Sequence, residues 1–202
     1  MKCRKPDFLD FERFSAEGIP EDRPELPDKL TDCLTGTGIP FTNRDNIRQK
    51  ALRFLIEEKG YHREDISVDR GIKLEIEGRK ILSLVDILIG FNDKTLMIWK
   101  CASGSLVTRE RQIIASARLL EDYIVPLAAV TNGKDLELLD TYSEKVIGSG
   151  FQTVPARSEL IEFSKNISLK PVNREKIIYE QRILYTYDAI SCPPACNSDP
   201  EK

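Results

Sequence analysis

The chain has 202 residues, a formal charge of −3 and a pI near 5.4, which excludes a uniformly basic nucleic-acid binder; contact with phosphate would need a local patch. No run approaches the ~20 apolar residues needed to cross a bilayer, and the N-terminal MKCRKPDFLDFERF carries no apolar signal core. Five scattered cysteines do not form a secreted disulfide framework, so a cytoplasmic, reduced protein with no membrane contact is expected. The single histidine, His62, sits in a Gly-Tyr-His-Arg loop and reads as solvated, which removes histidine-rich zinc chemistry.

Residues 1–41 hold five of the eleven prolines and many acids, and read as an extended N-terminal arm with one short helix at Phe8–Phe14. A helix is expected from Thr42 to Lys59, with Ile47, Ala51, Phe54 and Leu55 on one face, Thr42 or Asn43 as cap and Gly60 as stop. Its polar face carries Arg44, Arg48, Lys50 and Arg53, a cluster able to meet phosphate. Ile66, Val68, Ile72, Leu74 and Ile76 alternate with polar residues, as in a half-buried strand, and Glu77-Gly78 turns the chain.

The next stretch, ILSLVDILIGFNDKTLMIWKCASGS, organises the rest. Ile81–Ile89 is apolar except for Ser83 and Asp86, which fits a central strand; Asn92-Asp93 marks a tight turn, and Thr95–Ala102 makes a second strand bearing Lys100. A carboxylate in such a strand with a lysine at the end of the next is costly without a reason. One reason is a divalent-metal phosphodiesterase site, and another is an internal ion pair. A helix over Thr108–Tyr123, strands at Leu127–Val130 and Leu136–Leu139, a loop at Gly148-Ser149-Gly150, and helices over Ser158–Lys165 and Asn173–Ile190 complete the chain. The expected architecture is α/β, a mixed sheet flanked by helices. Its core domain spans 42–150, a helical extension packs on it over 151–190, and 191–202 is a mobile tail. Cys192 and Cys196, with Cys3 and Cys33, have a spacing that can hold zinc, although unligated thiols are the preferred reading.

Three stretches, taken in order, resemble the N-terminal nuclease domain of type I restriction enzyme R subunits, within the PD-(D/E)xK nuclease superfamily. They are IRQKALRFLIEEKGY, VDILIGFNDKTLMIWKCAS and RQIIASARLLEDYIVPLAAVTNGKDLELLD; the resemblance covers roughly Asn43 to Thr141 and, more weakly, the Arg174–Ile190 helix. The resemblance implies a restriction-endonuclease-like fold and magnesium-dependent cleavage of DNA. It makes Asp86 the metal ligand, Lys100 the lysine beside the attacking water and Gln112 the supporting glutamine. Arg44 and Arg48 then become candidate DNA contacts, with DNA and restriction-modification or repair proteins as partners.

The second strand departs from the family pattern of Glu-x-Lys followed by alanine. Anchoring on Ala102 puts Trp99 and Cys101 in place of the glutamate and lysine; anchoring on Lys100 puts Ile98 in place of the glutamate. Adjacent strand residues point to opposite faces, so the registers differ physically, and neither supplies the second carboxylate. Glu57, Glu58, Asp69 or Glu110 could supply one from another element, and the usual tyrosine four residues after the glutamine is Ser116. Two functional readings follow: a metal-dependent endodeoxyribonuclease impaired by the missing carboxylate, or a non-catalytic nuclease-fold module that binds nucleic acid or a partner protein. The chain contains no GxxxxGK[ST] motif, so it is not expected to translocate DNA by itself.

Overall fold

The computed structural model describes residues 27–191, so the helix expected at Phe8–Phe14 and the cysteines Cys3, Cys192 and Cys196 lie outside the described residues. A small hairpin, β1 (Lys29–Thr31) and β2 (Gly38–Pro40), precedes helix α1 (Asn43–Glu57). The main sheet has six strands side by side in chain order: β3 (Ile66–Ile76), β4 (Arg79–Phe91), β5 (Lys94–Cys101), β6 (Leu127–Thr131), β7 (Leu136–Asp140) and β8 (Lys145–Ser149). Every neighbouring pair is antiparallel except β5 and β6, whose parallel register requires a crossover, made by α2 (Val107–Leu119). Helices α3 (Arg157–Asn166) and α4 (Arg174–Ser191) follow. The result is the expected mixed sheet flanked by helices.

Local chemistry explains the element ends. Thr42 is extended at φ −131°, and its hydroxyl accepts from the Asp45 N–H at 2.9 Å, so it caps α1. Gly60, at φ +73°, lets the Tyr61 N–H turn back to the Leu55 carbonyl at 3.1 Å. Between β4 and β5 the chain turns through Asn92 and Asp93, both at positive φ, the conformation a two-residue hairpin demands. Gly90 sits beside the bulge in that pair, where a Cβ would stand only 2.4 Å from the Lys94 carbonyl oxygen.

Three expectations need correction. The arm is not wholly extended: its last part forms the β1–β2 hairpin, pinned to α1 by Gln49, whose amide donates to Asp32 at 2.9 Å and accepts from the Cys33 N–H at 2.7 Å. The first two residues of the stretch read as a loop at 148–150 are the end of an edge strand, β8. Its Val146 and Ile147 are 40% and 55% exposed, so it lacks the buried alternation that announces a strand. Helix α2 stops at Leu119 rather than Tyr123, because the Val125 N–H bonds back to Ala117 and the Tyr123 hydroxyl accepts from the Thr95 N–H at 2.8 Å.

The sheet separates two cores. Ile87, Ile89, Trp99 and Cys101 pack with Ala51, Leu52 and Leu55 of α1, whereas Leu88, Ile98 and Val130 pack with Ile113 and Ala117 of α2 and Leu184 of α4. Residues two apart on a strand normally share a face. On β4, Val85 lies in the second core and Ile87 in the first; on β3, Val68 packs on the first and Ile72 in the second. The long hairpin therefore exchanges its faces between these points. Asp69 and Asp86 occupy the crossing and are the positions its ladder skips.

Candidate functional site

The β4–β5 ladder ends at Ile87–Trp99, while β5 continues beside β6 to Cys101–Thr131. The two strands thus part as a fork, and Asp86 lies at its base with no exposed surface. Asp86 Oδ1 accepts from Arg44 Nε at 2.6 Å and also pairs with Arg44 Nη2. Its Oδ2 accepts from the Cys101 N–H at 2.5 Å and lies 3.7 Å from Lys100 Nζ. The lysine itself donates to the Leu84 carbonyl at 2.9 Å, across the fork. Every side of the buried carboxylate therefore faces a donor, as a buried charge requires.

The network extends outward. Arg44 Nη2 also donates to Asp69 Oδ1 at 2.6 Å; Asp69 Oδ2 pairs with Arg48 Nη1, and Arg48 Nη2 meets Asp45 at 2.8 Å. Asp69 holds this place at φ 54°, a left-handed conformation uncommon outside glycine. Burial alone would raise the Asp69 carboxyl, but the bonds from Arg44 and Arg48 outweigh it and hold the group below its usual range. Burial would likewise loosen the Arg44 proton, and the charges of Asp86 and Asp69 hold it more firmly instead. Cys101 is no activated thiol: burial, then the charge of Asp86, pushes it well above the ordinary value.

Lys100 and Asp86 thus come together, whereas Gln112 is engaged elsewhere. The Gln112 amide donates to Asp188 of α4 at 3.0 Å and accepts from Arg109 at 3.2 Å, at the α2–α4 contact. Ser116 is buried and its hydroxyl donates to the Gln112 carbonyl. Arg44 and Arg48, read from sequence as phosphate contacts, are both committed to aspartates. Ile98 and Trp99, the two residues that could replace the family glutamate, are fully buried on opposite faces, and the Trp99 indole N–H finds no acceptor among the described residues.

Of the acids considered as substitutes, Asp69 joins the Asp86 network through Arg44, and Glu110 lies beside Glu137. Glu57 and Glu58 sit at the far end of α1, about 20 Å along the helix from Arg44. No group of three or more His, Cys, Asp or Glu residues able to hold a metal ion occurs among the described residues. As arranged, this donor set does not fit a magnesium ion, which needs several free oxygen ligands. Cys33 rests at the hairpin, its thiol donating to the Gln49 carbonyl at 3.6 Å.

Sequence reasoning missed the role of Arg44. The signal was available, since a buried strand aspartate demands a cation and the nearest helix opens with arginine. It also missed a second buried cluster. Glu180 of α4 accepts from Arg118 at 2.6 Å and from Arg111 at 2.8 Å, and Arg118 continues to Glu144 at 2.6 Å. Among the described residues, no helix is long and apolar enough to cross a membrane.

Compared with known proteins, residues 43–155 match the family described as Type I restriction enzyme R protein N terminus. No curated protein and no solved structure matches the chain.

Proposed function

We propose that this chain, which belongs to the type I restriction enzyme R protein N-terminus family, is a nuclease-fold module that engages DNA without cutting it. The observation that carries this reading is the closure of Asp86, whose two oxygens are taken by Arg44 on one side and by the Cys101 N–H beside Lys100 on the other. A carboxylate that holds a hard cation must offer it lone pairs, and this one offers them to the protein. Family membership supports DNA as the partner. With a net charge of −3, attraction to phosphate has to be local. Lys50 and Arg53, exposed on the outer face of α1, are the basic groups of that helix left for it.

One observation favours the alternative of magnesium-dependent cleavage: Lys100 lies beside Asp86 in the fork, the pair the family chemistry uses. That reading requires Arg44 to leave. Duplex binding followed by fluorescence anisotropy, with chelator and then with magnesium, alongside nicking of supercoiled plasmid, separates the two. Expected are binding that persists in chelator, no nicking, and a salt slope reduced by roughly one for each of Lys50→Ala and Arg53→Ala. Magnesium-dependent nicking lost in Asp86→Asn would establish the enzyme instead. Failure to bind duplex at low salt would overturn the DNA assignment and leave a protein partner.

A further inference from the structure

We infer that Arg44 is a built-in cation standing where this fold would otherwise hold a metal ion, so that the fork is closed and neutralised without one. The inference rests on the non-cleaving reading above, and it concerns how the acids of the fork are satisfied rather than what the surface binds.

Three observations carry it. One guanidinium, that of Arg44, donates from Nε to Oδ1 of Asp86 and from Nη2 to Oδ1 of Asp69, with Nη2 also paired to Asp86, so two carboxylates from neighbouring strands share one positive group. Charges balance locally: Asp45, Asp69 and Asp86 are matched by Arg44, Arg48 and Lys100, linked in one continuous network. Finally, Asp69 is kept at φ 54° at the very point where the β3–β4 ladder skips a pair. Such a backbone position persists only where its surroundings hold it, and here two guanidinium groups do so. A guanidinium suits the task because its fixed fork of donors spans two carboxylates.

The corollary is that removing Arg44 strips the shared cation from Oδ1 of both Asp69 and Asp86, leaving each only its outer partner, Arg48 or Lys100, and a divalent cation should then stabilise a protein that formerly ignored it. Thermal unfolding of the full chain in chelator and in millimolar magnesium tests this for the wild type, Arg44→Ala and Arg44→Ala combined with Asp69→Asn. Asparagine keeps the left-handed conformation accessible. The wild-type midpoint should not move with magnesium. Arg44→Ala should melt lower in chelator and regain several degrees in magnesium, and the added Asp69→Asn should abolish that gain. If Arg44→Ala does not fold in chelator, refolding in magnesium is the same readout: recovery of a cooperative transition supports the inference, and no recovery overturns it. A folded Arg44→Ala indifferent to magnesium also overturns it.

Calorimetric titration with manganese tests the inference with Arg44 in place. Silence is expected, and binding that Asp69→Asn weakens would mean that Arg44 yields to a metal. These readouts are independent of DNA, so the closed-fork inference and the DNA-binding proposal can fail separately.

Discussion

Asp86 and Glu180 are both carboxylates sealed inside the protein, 0% and 2% exposed, and both are met by arginine. Their settings differ. Glu180 joins two regular helices, α4 and α2, and reaches the β7–β8 turn through Arg118 and Glu144. Asp86 sits where a strand ladder breaks, beside a lysine and a backbone N–H, in a network that includes a residue at left-handed φ. Burial of a paired carboxylate alone does not mark a functional position, because Glu180 has all of it and serves docking. What distinguishes Asp86 is the interrupted backbone around it.

The largest expected effect breaks the docking cluster. Glu180→Ala leaves Arg118, 7% exposed, without its buried partner, and loss of one member of a buried ion pair costs about 3–5 kcal/mol. Urea unfolding should show that loss, and a cost near that of a surface residue would mean that apolar contacts alone fix α4. Arg44→Ala should cost less, about 2 kcal/mol, because Lys100 and the Cys101 N–H still cover Oδ2 and the Arg44 side chain is 34% exposed. A reversed order of the two variants would place the structural weight of the fold at the fork.

Acid sharpens the same comparison at the rim of each cluster. The Asp69 carboxyl is held low against the opposing effect of burial by Arg44 and Arg48, and that of Glu144 chiefly by its bond from Arg118. For a carboxyl lowered on folding, the stability gained is present above the unfolded value, about 4, and is lost as pH falls through the folded value. Asp69→Asn and Glu144→Gln should each flatten the acid limb of a stability–pH curve while changing neutral stability by less than about 1 kcal/mol, since both groups are about 40% exposed and solvent-screened. An unchanged acid limb in both variants would show that neither pairing survives in solution.

Much of the fold was legible because it is written in period and punctuation. Ile66, Val68, Ile72 and Leu74 alternate, the Asn92-Asp93 turn is explicit, and Thr42 and Gly60 bracket α1. What escaped was written more weakly. Strand β8 is an exposed edge with no apolar face to declare, and the β1–β2 hairpin depends on Gln49, a contact distant in sequence. At the fork, sequence brought Asp86 and Lys100 to attention but left the register open, since a one-residue shift on β5 is invisible without the ladder. Glu180 was in plain view between Ile177 and Leu184 of one helical stripe; an acid in an apolar stripe calls for a buried partner.

The smallest effect concerns a carboxylate that, unlike Asp86 and Glu180, pairs with no cation among the described residues. Glu137 of β7 is half-buried beside Glu110 of α2, and burial first, then the neighbouring acid, pushes its carboxyl above the usual range. The sign is opposite to that for Asp69: the ionised form is disfavoured by folding, so the penalty is present above the folded value and fades as pH falls through it. Glu137→Gln should therefore stabilise the protein at neutral pH by roughly 0.5 kcal/mol, the scale of a relieved like-charge pair, and the gain should shrink toward zero in acid. A gain that persists in acid would assign the effect to packing, and a loss at neutral pH would mean that Glu137 has a cationic partner in solution. A pH-dependent gain would complete the contrast, because a half-buried acid in this fold that lacks an arginine would then be a liability, as Asp86 would be without Arg44.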